Sequence, residues 1–185
     1  MKQVVRSRRP SSRGLTFKFA ADQRGVAAIE FGLFFILLAL AFVNVTDVSI
    51  YIYQRMQAEN ATQVGAQAAF KTCDSTQLPA TVNCPGLTNA VQAAIHSTSL
   101  GTSVALASGF PTEGYYCINA SNALQYVSSV AAKPADCTAA GTPALQPGDY
   151  IQVQTTFPYT PIFPGLSISS TFPTPINRTA IMRLG

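Results

Sequence analysis

Residues 24–43 read RGVAAIEFGLFFILLALAFV. From Val26 to Val43 this run carries one charged side chain, Glu30. A helix rising 1.5 Å per residue covers about 27 Å over that length, close to the roughly 30 Å hydrocarbon core of a bilayer. Backbone groups in lipid must bond within the segment, so the run is expected to be a membrane-spanning helix.

Charge is arranged around that run. Lys2, Arg6, Arg8, Arg9, Arg13, Lys18 and Arg24 precede it, with Asp22 the one acid among them. After Gly25 the carboxylates outnumber the cations, so the net charge of +4 belongs to the leader and not to a basic domain. Nucleic-acid binding loses its electrostatic support. Basic flanks stay on the cytoplasmic side, which predicts a cytoplasmic N-terminus and a translocated C-terminal part. Charged residues make up 11% of the chain, too few for an ordinary soluble enzyme.

Proline marks the next boundary. Apart from Pro10, every proline lies at Pro79 or beyond. An interior proline costs a helix about 3 kcal/mol, so its absence from residues 11–78 permits one helix from Val26 to Phe70. Beyond the span, Val45, Val48, Ile52, Met56, Ala61, Gly65 and Ala68 recur at helical spacing. This stripe is expected to pack on the chain's own globular part. Its small residues allow another backbone to come close.

Glu30 is the most informative side chain. A carboxylate at a bilayer centre costs about 2.5–3.5 kcal/mol on insertion scales and less near an interface. Such a group is paired, functional, or shallow enough to stay wet beside the helix N-terminus.

Arg24-Gly25-Val26-Ala27-Ala28-Ile29-Glu30-Phe31, followed directly by the apolar run, resembles the class III leader of type IV pilin-like proteins. It is most similar to the TadE family of tight-adherence (Flp) pilus assembly proteins. The resemblance covers residues 24–71, including the exit sequence FVNVTDVSIYIYQRMQAENATQVGAQAAF. It implies that a prepilin peptidase cuts between Gly25 and Val26, leaving Glu30 as the fifth mature residue. The new Val26 ammonium would pair with the Glu30 carboxylate of a neighbouring subunit, where low dielectric strengthens attraction. The resemblance further implies a structural role as a minor-pilin or pseudopilin component supporting adhesion. Its partners are then the bacterial inner membrane, the peptidase and other pilin-like subunits, with no nucleic acid, small-molecule substrate or cofactor.

The domain reading is a basic cytoplasmic leader (1–25), a transmembrane helix (26–46), a periplasmic extension (47–71) and a periplasmic α+β domain (72–185). Within the last, Thr88 to Ser97 reads as a short amphipathic helix with Val91, Ala94 and Ile95 on one face. Tyr115–Asn119, Tyr150–Phe157, Leu166–Ser169 and Thr179–Arg183 read as strands. An antiparallel sheet of three or four strands packed on the long helix is expected, in the pilin-like layout.

Cys73, Cys84, Cys117 and Cys137 allow three disulfide connectivities, of which nearest-neighbour pairing closes two short loops. An oxidising compartment is required, which the periplasm supplies. No GxSxG, P-loop, HExxH or GxGxxG occurs, so no enzymatic activity is expected. His96 is a lone histidine, and Asp74, Glu113, Asp136 and Asp149 read as solvated loop acids. Asp47-Val48-Ser49-Ile50-Tyr51 matches only half of a DxSxS metal motif and sits on the helix, so no metal site is expected. The alternative is a secreted or membrane-anchored binding protein outside any pilus. Ala39-Leu40-Ala41 offers an ordinary signal peptidase an A-x-A site that would leave Phe42 first.

Overall fold

A computed structural model of the chain describes residues 23–73 and 75–185. The basic leader as far as residue 22 and Asp74 lie outside the described residues, as do the side chains of Gln23 and Arg24. The long helix, α1, runs from Gln23–Thr72 as 50 residues, roughly 75 Å at 1.5 Å per residue. It is a little longer than the proline-free reading required. It is also the one described helix long and apolar enough to cross a membrane.

Beyond Asn44 one face of α1 is buried. That face holds Asp47, Tyr51, Ala58, Ala61, Thr62, Gly65, Ala66 and Ala69. The expected stripe is therefore corrected. Ala61 and Gly65 do point inward, but Val45, Ile52 and Met56 are exposed. The inward face before Ala58 is set by Asp47 and Tyr51, which bind a proline-rich loop, and the outer apolar residues continue the face of the span.

The remainder of the chain wraps this face. Helix α2 spans Ala80–Asn83 and helix α3 spans Leu87–His96. Leu87, Val91 and Ile95 are the buried face of α3, with Leu87 taking a place the sequence reading gave to Ala94. Five antiparallel strands follow: β1 (Ala105–Leu106), β2 (Thr112–Ile118), β3 (Leu124–Ser129), β4 (Gly148–Phe157) and β5 (Ile176–Arg183). Strand β4 is central. One edge pairs along its length with β5, from Tyr150↔Arg183 to Phe157↔Ile176. The other edge is shared, Gly148 to Gln152 facing β2 and Thr155–Thr156 facing β1. Strand β3 pairs β2 at the outside.

The period-2 pattern of β4 works as its sequence suggests. Ile151, Val153, Thr155 and Phe157 are buried against α1, while the intervening residues are half-exposed. Small residues on α1 let the layers approach closely. A Cβ on Gly65 would stand 2.9 Å from Ile95 Cγ1 and 3.4 Å from Val153 Cγ1, so a larger residue where helix, helix and strand meet would have to displace Ile95. Beside it, Thr62 donates to the Ala58 carbonyl at 2.7 Å and lies 2.6 Å from the Thr155 hydroxyl, which closes the helix–sheet contact with a satisfied polar pair.

Three strand readings change. Leu166–Ser169 is not a strand; Ile168–Thr171 forms a 3-10 turn, because Asn44 of α1 takes the Ile168 N–H and Ser167 takes those of Ser169 and Ser170, leaving none for a neighbouring strand. Strands β1 and β3 are additions, which makes the sheet five-stranded where three or four strands were expected. The structure pairs Cys73 with Cys84, tying the end of α1 to α2, and Cys117 with Cys137, closing a small cluster with Ala140 and Val127.

Candidate assembly site and its anchor

The first half of α1 stands clear of the domain. Val26, Ile29, Phe31, Leu33, Phe34, Phe35 and Leu37 are all more than half exposed, on every side of the helix. An all-round apolar helix is covered by lipid or by other helices. Gly25 and Gly32 have open space where a Cβ would be. Glu30 is exposed one turn above Val26, and Phe31 stacks on Phe35 with centroids 6.1 Å apart. Among the described residues the one ion pair is Arg178 Nε to Glu59 Oε2 at 3.7 Å, and Glu30 pairs with none of their cations.

The second half of α1 is locked to the domain by a residue whose importance the sequence reading missed. Asp47 is fully buried. Its Oδ1 accepts the Ile162 N–H at 3.1 Å, and its Oδ2 accepts the Phe163 N–H at 3.2 Å and the Ser169 hydroxyl at 3.3 Å. One turn earlier, Asn44 Oδ1 accepts the Ile168 N–H at 2.9 Å. One turn later, the Tyr51 ring meets Tyr159 edge-on at 4.9 Å and Phe172 at 4.7 Å. A buried charge is tolerated only when hydrogen-bonded, and here the proline-rich loop supplies the donors. Helical phase is the signal that marks it: Asp47, Tyr51 and Ala58 share one face of α1, offset from the apolar face through Val45 and Ile52. Ser49 faces away, exposed, and donates to the Val45 carbonyl, so the half-motif is not assembled.

The loop-acid reading also changes for two residues. Glu113 lies on β2 and Asp149 on β4, in adjacent strands. Glu113 caps α2, accepting the Ala80 N–H at 2.7 Å and the Thr81 N–H and hydroxyl at 2.6 Å. Asp149 is buried, and its Oδ1 has no hydrogen-bond partner. Burial, with the Glu113 carboxylate next, raises its pKa to about 6. Alternation alone would place Asp149 on the inward face with Ile151. Asp136 keeps its expected place in a loop, where Thr138 bonds its carboxylate and lowers its pKa. His96 ends α3.

Residues 25–67 match the family model described as TadE-like protein. That segment covers the exposed apolar half of α1, Glu30, Asp47 and most of the buried small-residue face, in line with the resemblance read from residues 24–71. No curated protein and no solved structure matches the chain.

Proposed function

We propose that the chain is a minor-pilin or pseudopilin component of a tight-adherence pilus assembly and secretion system, acting through α1 and supporting surface adhesion. In this reading residues 1–25 are a cytoplasmic leader, 26–46 span the inner membrane, 47–71 continue the helix into the periplasm, and 72–185 form the periplasmic domain. A prepilin peptidase cuts between Gly25 and Val26. The freed Val26 ammonium then pairs with Glu30 of a neighbouring subunit, fixing the axial register of packed helices. Phe31 and the apolar residues after it supply the packing surface.

The observation that carries this reading is the isolated carboxylate. Glu30 is the one acid on the exposed apolar half of α1, has no ion-pair partner among the described residues, and lies one turn from the residue that cleavage would make cationic. In hydrocarbon the alternative to pairing is a costly unpaired charge. The TadE-like match over residues 25–67 supports the same reading. The unbroken helix through Ala39-Leu40-Ala41 favours it over release after Ala41.

A Glu30→Ala variant tests it. Leader removal is expected to continue, whereas co-purification with sheared filaments and their assembly complex is expected to fall sharply, with surface attachment. Normal assembly and attachment by Glu30→Ala would remove the pairing role.

A further inference from the structure

We propose that the loop 158–171 is a membrane-contacting element that seats the globular domain on the lipid surface where α1 emerges. This rests on the reading of α1 as a membrane span. Three observations carry it. First, the loop exposes Ile162 (57%), Leu166 (62%) and Ile168 (59%), with Phe163 partly exposed beside them. Second, residues 150–177 carry no charged side chain, so nothing ionic must be desolvated when the loop meets lipid. Third, the loop is pinned at a defined depth. Asn44, which holds the Ile168 N–H, directly follows the apolar run ending at Val43. Asp47, which holds Ile162 and Phe163, is one turn further. A hydrocarbon core of about 30 Å starting at Val26 ends near Val45 at 1.5 Å per residue, so the anchors stand at the interface.

The loop is built to hold this position. Pro158, Pro161 and Pro164 restrict the backbone, Gly165 turns it at φ +80°, and Ser167 accepts the Ser169 N–H beneath it. Tyr51 and Tyr159 fill the space between loop and helix, and Tyr53 is exposed at the same level, as aromatic residues are at membrane interfaces. The apolar side chains thus extend the lipid-facing surface of α1 sideways, giving the domain a second contact beside the helix. Such a footing limits tilt of the domain about the point of exit.

The chain contains no tryptophan, so single reporters can be placed freely. Leu166→Trp and Ile168→Trp, at exposed positions, are compared in the full chain with Phe35→Trp in the span and Val82→Trp on α2. Val82 is 70% exposed and next to the far end of α1. The proteins are reconstituted in phosphatidylcholine–phosphatidylglycerol vesicles brominated at shallow or deep acyl positions. The proposal expects both loop reporters to emit to the blue of Val82→Trp and to lose most of their emission with shallow bromines, while Val82→Trp loses none. Deep bromines should quench Phe35→Trp. Loop reporters as unquenched as Val82→Trp, with Phe35→Trp quenched, would overturn the loop proposal and leave the span intact. Blue-shifted but unquenched loop reporters would overturn it in favour of a protein partner. An unquenched Phe35→Trp would remove the spanning premise itself.

Discussion

The carboxylate of Asp47 accepts the backbone N–H of Phe163 at 3.2 Å, across 116 residues of chain. Through this bond and those to Ile162 and Ser169, the point where α1 leaves its apolar half is rigidly joined to the loop preceding β5. Whatever position the helix takes in an assembly, the domain must follow.

That junction is the first thing to perturb. Asp47→Ala removes the acceptor for two part-buried backbone donors and a buried hydroxyl. Leaving a buried donor unsatisfied costs about 1–3 kcal/mol and a part-buried one less, so a loss of about 2 kcal/mol is expected. Asp47→Asn keeps one carbonyl oxygen and should lose less. Denaturant melts in detergent measure both, and limited proteolysis should find the cut sites in residues 158–171.

Gly65 predicts a steric limit. Replacing glycine by alanine in a helix normally gains about 1 kcal/mol. Here a Cβ would meet Ile95, which is fully buried, so Gly65→Ala should give no such gain. Gly65→Leu should cost about 2 kcal/mol or more by overpacking. A Gly65→Ala, Ile95→Ala double variant should be more stable than the sum of its singles, because the two side chains compete for one space. Thermal melts of the four proteins check this.

Asp149 sets a pH dependence of unusual sign. Its folded pKa, near 6, is above the ordinary carboxylate value, so between about pH 4 and 6 the folded chain binds more protons than the unfolded one. Its contribution therefore makes the domain more stable below that window and is lost as pH rises through 6. Asp149→Asn should raise the urea midpoint at pH 7 and flatten its dependence on pH between 4 and 6. A variant that kept the wild-type slope would exclude Asp149 as its source.

The disulfides close loops of 11 and 20 residues. Replacing either pair by alanine should cost about 3 kcal/mol on loop-entropy grounds. The Cys117–Cys137 loss should loosen β3 first, since that edge strand has little other burial. Amide exchange of residues 124–129 reads this directly.

How much of this was legible follows from which interactions are local. Helix α1 could be read because proline placement and apolar length are local facts, and β4 because alternation is. Strand β3 escaped because its outer residues Leu124, Gln125 and Tyr126 are all exposed, so no alternating pattern marks it. Leu166–Ser169 alternates like a strand, yet Asn44 and Asp47 capture it from more than a hundred residues away. The Asp149–Glu113 juxtaposition needs strand register, which sequence spacing does not carry. At the candidate site, Gly25, Val26 and Glu30 were visible as a motif, whereas the Asp47 anchor existed only once the loop was folded back.

The most direct measurement is the N-terminal mass of the protein recovered from native membranes that contain the prepilin peptidase. The account predicts a mature chain beginning at Val26. A chain still beginning at Met1, or one beginning at Phe42, would contradict it.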